Sequence, residues 1–438
     1  LHKAIRRQRQ MCIRDSLYDD AGMEKIYEKF RDAKVDGLFV PHCNFGTEYE
    51  VCRLAKKLNV PVLLWGPRDE CPDENGMRLR DSQCGLFATG KVLRRFGIPF
   101  TYLKNCNLED ECFAEGIDRF LRVCNVVKAF RNTRVLQIST RPFDFWSTMC
   151  NEGELLEKFG IQLSPIPMPE LTQAMKDVKE NSPEEIKEVT DYCREKMCIK
   201  VTPEQLDNVA ALKIAMTRLG KKYGCNCGAI QCWNALQDEI GIMPCAANAL
   251  CNDEGFPIAC ETDIHGTITS VLVEAAAMGE TRSFFADWTV RHPYNDNAEL
   301  LQHCGPWPIS IAKEKPTIDT PVAFDCSGSL MAQAKDGEHI SLVRFDGDNG
   351  EYSLLLGNAK TVDGPYTKGT YMWVEVENLD RLEDKLVQGP YIHHCVGVHQ
   401  DVVPVLYEAC KYIGVTPDLY DPIEEKVKAI IRGEKVEK

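Results

Sequence analysis

Between Phe256 and Trp288 the chain reads as a strand, a helix and a second strand, with an acidic residue at the end of each strand. Phe256-Pro257-Ile258-Ala259-Cys260 is an apolar run of strand length that closes on Glu261. From Gly266 to Met278 the apolar residues Ile268, Val271, Leu272 and Ala275 recur at helical spacing, Gly279 supplies a stop, and Asp263 or Thr262 a cap. Ser283-Phe284-Phe285-Ala286 is the second apolar strand, and Asp287 ends it. Units of this kind build parallel sheets through right-handed crossovers. If the two strands are neighbours, about 4.8 Å apart, Glu261 and Asp287 face one crevice at the carboxyl edge, where open α/β sheets bind ligands.

Histidines gather near these acids. Six of the nine fall in two short stretches, His265 to His303 and His393 to His399. Carboxylates combined with imidazoles form oxygen and nitrogen donor sets for divalent cations. For the late pair His393-His394 to take part, its loop must fold back to the edge that carries Glu261 and Asp287. Several of these residues also have plainer uses. Asp263 reads as a helix cap and Glu254 as turn chemistry. His265, at a helix start, is either a substrate contact or a solvated histidine, and His303 taken alone is a core or surface histidine. Trp288 beside Asp287, Arg141 after a strand end and Arg68 in Trp65-Gly66-Pro67-Arg68 are candidate substrate contacts, with loop anchoring as the alternative for the two arginines.

The 438 residues exceed one ordinary core and predict two or three domains. A net charge of −14 argues against nucleic acid as a partner, because phosphate binding needs clustered Lys and Arg. No apolar run reaches the roughly 18 residues of a membrane span, and no signal peptide of the usual form opens the chain. The 21 scattered cysteines form no regular framework, which fits a reducing cytoplasm and buried thiols. Cys225-Asn226-Cys227 and Cys232 lack the two-residue spacer of a zinc knuckle.

Residues 1–16 read as a frayed or non-native leader. From about residue 20, helices near 21–33, 47–58, 84–96 and 109–129 alternate with strands at 35–40, 60–65 and 100–103, a parallel-sheet domain over 17–131 whose first strand would ordinarily precede residue 20. A second alternating region, 132–312, begins with Arg134–Ile138 and continues through a strand at 161–165, helices at 183–197 and 203–222, a strand at 228–233, the unit described above and a strand at 308–311. The last region, 313–438, changes texture. His339–Phe345 and Tyr352–Leu356 flank Asp346-Gly347-Asp348-Asn349-Gly350, a hairpin signal, and Tyr371–Val376 adds a further strand. A small antiparallel β-barrel closed by helices near 400–413 and 422–432 is expected. The fold class is therefore two parallel-sheet, Rossmann-like α/β domains followed by a β-barrel with C-terminal helices.

The order of these domains, Cys260-Glu261-Thr262-Asp263, Asp287 before an aromatic residue, His303 before Cys304 and the late His393-His394 pair resemble the L-fucose and L-arabinose isomerase superfamily. Arg80-Asp81-Ser82-Gln83-Cys84-Gly85 is similar to a stretch of the first domain in fucose-isomerase-like proteins. The resemblance implies a cytoplasmic, Mn2+-type aldose–ketose isomerase, with Co2+ or Mg2+ as other cations, that forms a homotrimer or hexamer with active sites between subunits. It implies Glu261, Asp287, His303 and either His393 or His394 as metal ligands. Aspartate at position 287 matches the fucose-like branch and His303 the arabinose branch, so the substrate stays open between L-fucose or another deoxy or C6-modified hexose and L-arabinose.

The chemistry needs these residue types. Moving a carbonyl between C1 and C2 removes a proton from carbon beside a carbonyl and returns it to the neighbouring carbon. A hard cation polarises the two sugar oxygens, and a carboxylate within reach acts as base and then acid. Glu261 and Asp287 are assigned both roles, without deciding which takes the carbon proton. A non-catalytic sugar-binding protein would also have paired α/β domains, and a metal-dependent aldolase or epimerase could use the same carboxylates.

Overall fold

The computed structural model describes residues 17, 19–321 and 325–436. The proposed leader 1–16 lies outside them. The chain divides into two compact units, one drawn from residues 1–127 and 425–438, the other from 128–424.

In the first unit, β1 (Leu38–Pro41), β2 (Val62–Trp65) and β3 (Thr101–Tyr102) form a parallel sheet in sequence order. The helix Asp20–Ala33 starts where Asp19 Oδ1 accepts from Gly22 N at 2.7 Å and stops at Lys34, which turns left-handed. It packs with the helices Glu48–Leu58 and Ser82–Arg95 so that Met23, Leu54, Ala55 and Leu93 close over Val62 and Leu64. The predicted alternation holds here, with bounds shifted by at most three residues.

The second unit opens with β4 (Arg134–Ile138), β5 (Gln162–Ile166), the short β6 (Cys198–Ile199), β7 (Cys227–Ile230) and β8 (Ile258–Ala259). Four of them form a parallel sheet in the order β5-β4-β7-β8. The helix Pro203–Tyr223 is capped by a reciprocal Thr202–Gln205 box and stopped by Gly224 at φ 65°. It buries Leu212, Ala215 and Met216 against Leu171 and Met175 of the helix Met168–Asn181, an element outside the sequence expectation.

The strand containing Phe284 departs from that expectation. It is not the parallel neighbour of β8. Instead β9 (Phe284–His292) pairs antiparallel with β10 (Asn295–His303) across a two-residue connection, and its other edge receives a strand from near the C-terminus. The local hairpin closes a far shorter loop than the crossover would. The expected strand at 308–311 is a single 3-10 turn, Ile309–Ile311.

Beyond it come β11 (Thr317–Asp319), β12 (Ser329–Gln333), β13 (Ile340–Asp348), β14 (Glu351–Val362), β15 (Thr370–Glu375), β16 (His394–Val398) and β17 (Thr416–Asp421). Six strands, in the order β13-β16-β9-β10-β15-β14, close into an antiparallel barrel because β14 pairs with both β13 and β15. The β13–β14 hairpin turns on Asn349 (φ 50°) and Gly350 (φ 80°), as its sequence predicts. Phe284, Ala286, Trp288, Leu301, Leu342 and Met372 belong to the barrel core. The helix Val403–Ile413 packs on β14 and β17.

Candidate metal centre

Glu261 follows β8 in a turn where both it and Thr262 have left-handed backbones, at φ 52° and 53°. Such conformations cost non-glycine residues on the order of 1 kcal/mol each, and the surroundings fix them. Thr262 N donates to Ile230 O and Thr262 Oγ1 to Thr140 O, both at 3.0 Å, while Glu261 N donates to Cys232 Sγ at 3.3 Å. The two carboxylate oxygens then diverge. Oε1 accepts from Cys232 Sγ at 3.2 Å, whereas Oε2, fully buried, lies 3.5 Å from His303 Nε2 and has no hydrogen-bond partner.

Along β9 the side chains alternate. Phe284, Ala286 and Trp288 point into the barrel core, so Phe285 and Asp287 point out of it. Asp287 stands opposite His394 on β16 and Gln302 on β10, the residue before His303. Its Oδ1 lies 3.5 Å from His394 Nε2 and 3.9 Å from His303 Nε2, buried and without a hydrogen-bond partner. Glu261, His303 and His394 offer donor atoms within 4.8 Å of one another, and so do Asp287, His393 and His394. The centre thus lies where the outer wall of the barrel meets the carboxyl edge of the parallel sheet, and the two carboxylates converge although they stand on different sheets.

A second layer orients these groups. Asp263 caps the helix Ile264–Ala276, Oδ1 accepting from Gly266 N at 2.9 Å, and its Oδ2 lies 2.8 Å from His394 Nδ1. A carboxylate only accepts, so in the neutral ring the proton sits on Nδ1 and the Nε2 lone pair faces Asp287 and Glu261. Asp263 also pairs with the fully buried Arg344, which bonds Asp346 through Nε at 2.9 Å, and Asp346 Oδ1 meets His265 Nδ1 at 2.9 Å. Burial works against the charge of Asp263, yet Arg344 and His394 hold it far below the ordinary carboxylate range. Burial likewise opposes ionisation of Glu261, but His303 and His394 bring it below the usual value. For His303, burial is outweighed by Asp287 and Glu261, which raise it to about 9. The two acids attract positive charge to a place where one oxygen of each carboxylate has no hydrogen-bond partner. The donor set of two carboxylates and two imidazoles, with orphaned oxygens at its centre, fits a hard or borderline divalent cation.

Residues 3–131 match the family described as fucose/sulfoquinovose isomerase, N-terminal domain. The chain is 24% identical over 405 residues to the sulfoquinovose isomerase of Priestia aryabhattai, covering 91% of this chain and 88% of that protein. It is 24% identical over 357 residues to the sulfoquinovose isomerase of Alkalicoccus urumqiensis, covering 80% and 79%. These matches support a likeness to fucose-isomerase-like proteins over most of the chain.

The other candidate residues sort differently. His393 lies beside His394, ring centroids 4.3 Å apart, and is more exposed; of the two, only His394 has its ring held by a carboxylate. Arg141 follows the anchoring alternative, because its Nη1 donates to the carbonyls of Pro142, Phe143 and Phe145. That loop sets Phe145 against His394, ring planes 20° apart. His265 is neither solvated nor at the donor cluster, being buried against Phe345 and Tyr352. Trp288 is a core residue whose Nε1 finds no partner, since strand alternation turns it away from Asp287. Arg68 belongs to the first unit, where its carbonyl accepts from Arg80 Nη2 at 2.7 Å. Residues the sequence reading missed include Cys232, Phe145, Phe285, Arg344 and Asp346. For the last two a signal exists, because both interrupt the apolar strand Leu342-Val343-Arg344-Phe345-Asp346.

Proposed function

We propose that this chain is a divalent-metal-dependent aldose–ketose isomerase, with Glu261, Asp287, His303 and His394 as the metal ligands and manganese as the preferred cation. The observation that carries the reading is the meeting of Glu261 Oε2 and Asp287 Oδ1, both without hydrogen-bond partners, around the Nε2 atoms of His303 and His394. The substrate we propose is a C6-modified hexose, sulfoquinovose before L-fucose. The relatives named sulfoquinovose isomerase, matched over most of the chain, support that order.

The bound cation supplies Lewis acidity for the carbonyl and the adjacent hydroxyl of the open-chain sugar. The chain's own groups do the proton work. Asp287 is the more open carboxylate, its side chain 26% exposed against 4% for Glu261. We assign it the proton that leaves one sugar carbon and returns to the next, and we assign Glu261, buried and held by Cys232, the hydroxyl proton. Asp263 and Phe145 keep His394 from rotating, and Phe285, centroids 4.8 Å from His394 and 5.3 Å from His303, excludes water from one side.

The test is to incubate the protein with Mn2+ and, separately, sulfoquinovose, L-fucose and L-arabinose, and to assay ketose formation. Sulfoquinovose should be converted fastest, and Asp287→Asn and Glu261→Gln should each lose about 10²-fold or more in kcat. Asp287→Asn should also abolish solvent deuterium incorporation at the sugar carbon. No ketose from any of the sugars, or retro-aldol products instead, would overturn the reading.

A further inference from the structure

Behind Glu261 lies a group of thiols of which the isomerase reading uses only Cys232, and that only to hold Glu261. Cys232 follows β7, Cys260 follows β8 and Cys245 opens the helix Cys245–Asp253, and all three are buried. The sulfurs of Cys232 and Cys260 and a Glu261 oxygen lie within 4.8 Å of one another. Cys245 is buried near Cys260 and interacts with it electrostatically. The polar lining continues with Asn248, whose Nδ2 donates to Cys260 Sγ at 3.5 Å and whose Oδ1 is buried without a partner, as is Ser329 Oγ.

We infer that Cys232, Cys260 and Glu261, with Cys245 beside them, form a second cation site that takes a thiophilic divalent ion of the zinc or cadmium class. Glu261 divides its carboxylate between two environments, Oε1 toward sulfur and Oε2 toward imidazole. Sulfur donors select soft ions, whereas manganese and magnesium prefer oxygen. An ion entering the pocket exchanges for the two thiol protons of Cys232 and Cys260, which leave to solvent, so the pair and the Glu261 carboxylate together supply three negative donors. The Cys225-Asn226-Cys227 pair takes no part, since Cys227 Sγ turns to the carbonyl of Arg134.

The test is a cadmium titration of the full chain carrying Cys106→Ser and Cys112→Ser, which removes the separate Cys106, Asp110 and Cys112 group, with neither manganese nor sugar present. One equivalent should saturate a thiolate-to-cadmium charge-transfer band in the ultraviolet. Cys232→Ser and Cys260→Ser should each lose that band, whereas Cys198→Ser, at an exposed position, should keep it. Cadmium-113 resonance of the same parent protein needs no buried substitution and should fall in the range of two or three sulfur ligands. Absence of the band, its persistence in folded Cys260→Ser, or a resonance typical of oxygen and nitrogen ligands alone would overturn the inference. No turnover is measured, so this result and the isomerase assay fail or succeed separately.

Discussion

Asp263 has three partners, and each limits what a substitution there can do. Its carboxylate caps a helix, neutralises Arg344 and fixes the proton of His394 on Nδ1. Asn preserves the cap but offers its amide to His394 and removes the charge opposite a guanidinium that is 1% exposed. If His394 ligates manganese as proposed, Asp263→Asn should weaken manganese binding by about 10- to 100-fold, the usual cost of losing a partner behind a metal-bound histidine. Calorimetric titration of the folded variant checks this, and unchanged affinity would remove Asp263 from the centre. Arg344→Met leaves Asp263 and Asp346 buried without their cation. Breaking such a pair from one side costs about 3–5 kcal/mol, which a urea midpoint would register.

At the scale of single elements the barrel strands carry the sharpest constraints. A Cβ at Gly357 on β14 would fall 2.2 Å from the ring of Tyr420 on β17, and that ring is held by its hydroxyl donating to Leu342 O. Gly357→Ala should destabilise by about 1–3 kcal/mol through overpacking, read as a lower thermal midpoint. On β10, burial raises Glu299 to about 7, with Glu383 adding to the rise and Arg291 opposing it. A carboxyl with a raised value favours folding while it stays protonated in the native state. Its contribution is complete below the unfolded value near 4.5 and disappears as pH rises to about 7. Glu299→Gln should flatten that decline, measured as the urea midpoint between pH 4.5 and 7.5; parallel curves for the two proteins would refute the assignment. The same strands show where sequence reasoning stops. Phe284–Asp287 announces a strand through its apolar run, but not its partner, because an apolar run suits a parallel sheet and a barrel stave equally well. The deciding signal is the short connection to Asn295, which makes β9 half of a hairpin. Arg344 and Asp346 carry no periodicity of their own, and only the fold brings them to Asp263.

For the molecule as a whole, the alternation of helix and strand in the first 130 residues was legible because each parallel strand is a continuous apolar run between amphipathic helices. The proposed ligands Glu261, Asp287, His303 and His394 were singled out from residue type and from a resemblance to a family, but the geometry that brings them together arises from two sheets of different kinds. Manganese at 100 times its dissociation constant should raise the stability of the unit holding those donors by about 2.7 kcal/mol, and a chelator should reverse the gain. Hydrogen exchange should show the added protection in 258–263, 284–303 and 394–398; protection confined to residues 1–127 would place the cation elsewhere.

The order of those donors along the chain has a consequence for biosynthesis. Glu261, Asp287 and His303 leave the ribosome long before His394, and His394 completes the set only by pairing β16 against β9. On the ligand assignment proposed above, a nascent chain offers no finished coordination sphere, and metal loading is expected to follow barrel closure rather than guide it. Cells starved of manganese should accumulate this protein folded, inactive and ready to be loaded.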